Sequence, residues 1–119
     1  MIKGSRWQTG AVIYEIREYV TVPGRMPALV RRFNEHTFGY FDKHGMEVVF
    51  ISLTEVGENS NNELVYALRF DDYAELERKW AAFQGDPGWQ QVRADSEADG
   101  PIVAQIRRRI VNPSRFEGR

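Results

Sequence analysis

The chain contains no cysteine. That absence removes disulfides, thiolate nucleophiles, CxxC redox chemistry and Cys-ligated zinc or iron–sulfur centres together, and it fits a reducing cytoplasm. Charge of one sign is missing as well: 16 Lys plus Arg face 17 Asp plus Glu. A chain so balanced offers neither the phosphate-tracking surface of a nucleic-acid binder nor a polybasic membrane anchor. No apolar run approaches the roughly 20 residues of a membrane span, and the opening MIKGSRWQTG has no apolar signal core. GxGxxG, P-loop, GxSxG and HExxH patterns are absent, which excludes the common nucleotide, hydrolase and zincin signatures. Histidine is scarce too. His36 and His44 are the only two, and eight helical residues would hold them roughly 12 Å apart, too far to share a metal. No metal or cofactor is expected.

What the chain does have is enough apolar content for a core, 42% over 119 residues, in a length that suits one domain. Residues 1–10 are expected as a flexible lead, 11–113 as the domain and 114–119 as a tail. Val12 to Val20 (VIYEIREYV) reads as a strand. Pro27 suits a first helical turn, so a helix is expected from about Arg25 to His44, stopping at Gly45. Its apolar arc runs through Met26, Leu29, Val30, Phe33, Thr37, Tyr40, Phe41 and His44. Glu47 to Gly57 and Glu63 to Phe70 read as a hairpin. Asp71 or Asp72 can cap a second helix with a stripe of Tyr73, Leu76, Trp80 and Phe83. Asp86-Pro87 opens a short helix carrying Trp89 and Val92, and Ile102 to Val111 is the last strand.

Strand, helix, strand, strand, helix, strand is the βαββαβ order of an α+β, ferredoxin-like fold with a four-stranded antiparallel sheet. In such a fold both crossover helices cover one face. Alternation places Tyr14, Ile16, Leu64, Tyr66, Leu68, Phe70, Ala104 and Ile106 on that face. The other face then shows Ile13, Glu15, Arg17, Arg69 and Arg107 among apolar neighbours such as Phe50, Val65 and Val111. It is too apolar for free solvent, and sheet-to-sheet homodimerisation would hide it.

The segments IYEIREY (Ile13 to Tyr19), EHTFGYFDKHG (Glu35 to Gly45), NELVY (Asn62 to Tyr66), DPGWQ (Asp86 to Gln90), DSEADGPIV (Asp95 to Val103) and NPSRF (Asn112 to Phe116) resemble the NIPSNAP family. The resemblance spans nearly all of the chain beyond its first ten residues. It implies a dimeric α+β barrel in which two ferredoxin-like sheets pack face to face. It implies no particular reaction and carries no catalytic residue to this chain.

Chemistry is therefore read from single residues. His44 falls in the buried arc at a helix C-terminus, where it either caps carbonyls or serves as an acid/base group, with Tyr40 one turn earlier. Tyr14, Thr37, Tyr40, His44, Glu77 and Trp80 are the expected lining of a pocket between helix and sheet, although aromatic residues there more often fill a core. Arg107, Arg108 and Arg109 lie on a strand, so they alternate between faces and suit carboxylate pairing better than a polyanion site. Two readings follow. One is a homodimeric protein that binds a small apolar or aromatic ligand or another partner. The alternative is a cofactor-independent monooxygenase or isomerase acting on an aromatic or polyketide-like compound.

Overall fold

The computed structural model describes residues 12–116. The flexible lead expected over 1–10 and the last residues of the tail lie outside the described residues. Strand β1 (Ile13–Thr21) leads into helix α1 (Met26–Arg32), whose first turn holds Pro27. The helix passes through a π-helical turn (Phe33–Thr37) into α2 (Phe38–Lys43). The hairpin of β2 (Glu47–Leu53) and β3 (Glu63–Phe70) follows, then α3 (Tyr73–Gln84), α4 (Pro87–Ser96) and β4 (Val103–Val111). The sheet order is β2-β3-β1-β4, antiparallel throughout. This is the expected α+β, ferredoxin-like architecture, with α4 added before the last strand.

Local chemistry sets the element ends. Asp72 caps α3, its Oδ1 accepting from the Glu75 N–H at 2.8 Å, while Glu75 Oε1 accepts from the Asp71 N–H at 2.7 Å. That reciprocal box holds the Glu75 carboxyl below its usual range, with Lys79 adding to the effect. Asp86 caps α4 by accepting from Gly88 N–H at 2.9 Å, and Pro87 occupies the first turn. After α2 the chain reverses at Gly45, whose φ of 68° lies in the left-handed region that favours glycine.

The long helix departs from the uniform pitch expected over Arg25 to His44. Its π-helical turn absorbs one extra residue, and Thr37 Oγ1 donates to the Arg32 carbonyl at 3.3 Å. Residues beyond it are rotated from the arc that a 3.6-residue period predicts. Phe41 takes the central buried place, and Tyr40 and His44 move toward α4. The first hairpin strand also ends early, at Leu53, and its pairing shifts between Val48 and Phe50.

Strand β3 alternates as expected: Leu64, Tyr66, Leu68 and Phe70 are buried beneath the helices. Strand β1 does the opposite of what was expected. Ile13 pairs with Phe70, Glu15 with Leu68 and Arg17 with Tyr66, so all three face the helices. Tyr14 and Ile16, paired with Arg69 and Ala67, lie on the other face. Ile13, Glu15 and Arg17 were expected at an interface between two sheets, and a buried ion cluster, described below, places them beneath the helices instead. Arg69 and Arg107 do lie on the face away from the helices.

Helix α4 seats closely on α2. The Tyr40 hydroxyl and ring edge occupy the space a side chain at Gly88 would need. Gly88→Ala should therefore cost about 1–3 kcal/mol in equilibrium unfolding, as overpacking does. Removing the hydroxyl in a Gly88→Ala, Tyr40→Phe double variant should recover part of that loss.

Candidate functional site

Glu15 is a carboxylate with no exposed surface, 0% by area. Such a group needs donors, because burying an unpaired charge is costly. It has three. The Trp80 indole Nε1 donates to Oε1 at 2.6 Å, and Arg108 Nε and Arg17 NH1 donate to Oε2 at 2.6 and 3.3 Å. β1 supplies the acceptor, and α3 and the edge strand β4 supply donors from either side. The Arg17 guanidinium also stacks 4.3 Å from the Trp80 ring centroid. Burial opposes the Arg17 charge, but Tyr19, Tyr66 and Glu15 outweigh it and raise its pKa.

Beside this cluster lies a cavity of about 440 Å³ between the sheet and the helices, with β4 residues from Val103 to Ile106 along one side. Its wall is rich in aromatic rings. Phe83 sits between Trp80 and Trp89, with ring centroids 5.4 and 4.8 Å away. Phe33, Phe41, Tyr19 and Tyr66 extend the wall, and the Tyr19 and Tyr66 hydroxyls are 2.8 Å apart. Burial pushes the Tyr66 pKa well up, so this hydroxyl stays neutral at physiological pH. Arg17, Arg32 and Arg93 bring positive charge to the wall against one carboxylate, Glu97, which pairs with Arg32 at 3.2 Å.

Of the pocket residues expected from sequence, Thr37 and Trp80 line this cavity. Glu77 lines an adjoining groove that shares Arg17 and Trp80 with it. Tyr14 lies on the opposite face of the sheet, because β1 presents its odd-numbered residues to the helices. Tyr40 and His44 are outside the cavity wall. Tyr40 packs edge-on against Trp89 at 6.1 Å, and His44 Nε2 lies 2.8 Å from Asp86 Oδ2 with its ring against Phe83. The π-helical turn explains both displacements. Sequence reasoning missed Arg17 and Arg32; for Arg32 the signal was its place beside Leu29 on the edge of the apolar arc.

The other face of the sheet has a different character. Tyr14, Ile16 and Val65 are half-buried there, and Phe50 and Val111 are exposed. Its charges pair within the chain: Arg107 with Glu18 and Glu63 at 3.0 and 3.4 Å, Arg109 with Glu18 at 3.6 Å, and Arg69 with Asp71 at 2.9 Å.

The NIPSNAP family model matches residues 14–117. The chain belongs to the NIPSNAP family. A NIPSNAP-like domain protein from Burkholderia xenovorans superposes with a TM-score of 0.80 at 18% identity, covering 92% of this chain and 91% of that one. A NIPSNAP family protein of unknown function from Agrobacterium tumefaciens gives 0.77 at 24% identity, covering 92% and 94%. More distant is SnoaB from Streptomyces nogalater, a cofactor-independent oxygenase, with a TM-score of 0.55 at 13% identity, covering 85% and 91%. The search of curated proteins returned no match. Among the described residues, no helix of this NIPSNAP chain is long and apolar enough to cross a membrane.

The Asp86 cluster beside the cavity generates a pH prediction. Hydrogen bonds from Lys43 and then His44, each 2.8 Å away, hold the Asp86 carboxyl far below its usual range. A depressed carboxylate contributes stability above its unfolded pKa, near 3.9, and that contribution is lost as pH falls through the folded value. Asp86→Asn should therefore be less stable than the parent at pH 7. The gap should narrow steadily below about pH 4, measured by urea unfolding across pH.

Proposed function

We propose that this NIPSNAP protein is a homodimeric small-molecule binding protein of the cytoplasm, with its ligand site in the 440 Å³ cavity between sheet and helices. The observation that carries this reading is the composition of that wall. A cavity of this size falls in the range of small-ligand sites, and it sets a row of aromatic rings beside polar groups that include Arg17, Arg32, Arg93 and Glu97 and could orient a ligand. The dimer rests on the other side of the sheet. Its charged residues are paired within the chain, which leaves Tyr14, Ile16, Phe50, Val65 and Val111 as a band suited to the same band on a second copy.

The oxygenase or isomerase reading draws support from the fold shared with SnoaB. It would need a proton acceptor in the cavity, and the carboxylate available there, Glu97, is already engaged by Arg32. Binding is the reading the wall supports better.

Thermal melting against a panel of one- to three-ring aromatic compounds tests the site, since a ligand that binds the folded state raises the melting temperature. At least one compound should stabilise the protein, and Ala104→Phe, which places a ring on the cavity wall, should abolish the effect. Sedimentation equilibrium should give twice the chain mass. A panel without a single stabilising compound contradicts the binding site, and a monomer at micromolar concentration contradicts the dimer.

A further inference from the structure

The cavity wall is organised as a strip with a cation at each end. Trp80, Phe83 and Trp89 follow one another along it. Arg17 sits over the Trp80 end at 4.3 Å from the ring centroid, and Arg32 over the Trp89 end at 5.7 Å. Each of those ends also holds donors in use nowhere else. Among the described residues, the buried side-chain N–H groups without a partner are Arg17 Nε, Arg32 Nε and Trp89 Nε1, and all three side chains belong to this one wall. Buried donors are normally satisfied, so three orphans on a single cavity are a specific departure from the rule.

The two ends differ. At the Trp80 end the Arg17 charge is met by Glu15 at 3.3 Å. At the Trp89 end both Arg32 Nε and Trp89 Nε1 lack a partner, with the Arg32 guanidinium 5.7 Å from the Trp89 ring centroid, and Arg93, one turn along α4 from Trp89, adds a second cation with no ion pair among the described residues. Glu97 offsets one of those two charges. The result is a surplus of positive charge and N–H donors beside an apolar strip in which Trp80 stands edge-on to Phe83 at 89° and Trp89 is tilted from it by 35°.

We infer that the ligand is a planar aromatic carboxylic acid, with its carboxylate at the Arg32, Trp89 and Arg93 end, its rings along Phe83, and a second acceptor oxygen toward Arg17. A carboxylate has two acceptor oxygens to set against the cationic, donor-rich groups of that end, at the strength of charge-assisted hydrogen bonds. A neutral aromatic of the same shape would fill the strip and leave those donors unsatisfied. This inference rests on the cavity being the ligand site.

Isothermal titration with the matched pair 2-naphthoate and 2-naphthamide tests it. The carboxylate should bind about tenfold or more tightly than the amide, as expected for hydrogen bonds made to a charged group. Arg32 also holds Ser96 and Glu97, so Arg32→Gln risks the fold. Arg93→Gln, at an exposed position, and Trp89→Phe, which keeps the ring but loses the donor, are the informative variants. Each should weaken naphthoate about three- to tenfold and leave naphthamide unchanged. Equal affinity for the two compounds, or variants that weaken both alike, overturns the carboxylate assignment and leaves the cavity as a ligand site. Failure of both compounds to bind removes the cavity reading and this inference with it.

Discussion

One buried carboxylate organises the molecule. Glu15 sits in the middle of the sheet with no access to water and is held by an indole from α3, a guanidinium from its own strand and another from β4. Stripping a carboxylate of water costs several kcal/mol, recovered only when its oxygens meet donors of good geometry. Here the donors come from three elements. The bond to Trp80 fixes where α3 crosses β1, and the bond to Arg108 ties the edge strand to the same point. The cluster thereby sets which face of β1 lies beneath the helices.

The cavity follows from that arrangement. With Trp80 anchored by its N–H, its ring is left to stack on Arg17 and to begin the aromatic strip that Phe83 and Trp89 continue. The π-helical turn completes the opposite wall. By absorbing one residue it places Phe41 centrally and turns Tyr40 and His44 outward to grip α4, through Trp89 and Asp86. The two faces of the sheet thus serve different ends. One builds a partly open aromatic cavity with cationic ends, and the other neutralises its own charges and offers an apolar band.

Element order, the antiparallel sheet and the buried face of β3 were legible in the sequence because they rest on periodicity, turn residues and caps, all of which act locally. Family membership was legible for a related reason, since its segments recur in order along the chain. The face of β1 was not. Alternation divides that strand into two sets with apolar residues in each, and the deciding contact joins Glu15 to Trp80 and Arg108, distant in sequence and invisible to any local pattern. The place of His44 was hidden by the π-helical turn, which no capping or propensity signal marks. Thr37 and Trp80 reach the cavity wall because both lie on stripes that stay in register with the core. Arg32 is set apart by its burial and an unpartnered Nε, and only the folded chain has either.

The central claim is that the buried Glu15 charge holds sheet, helix α3 and edge strand together. Glu15→Gln tests it most directly, because the amide keeps the shape and can still accept from Trp80 while removing the charge that Arg17 and Arg108 face. Equilibrium urea unfolding at pH 7 should show a loss of about 3 kcal/mol or more, the usual consequence of leaving a buried ion unpaired. A variant within about 0.5 kcal/mol of the parent, the range of an ordinary surface substitution, would contradict the account.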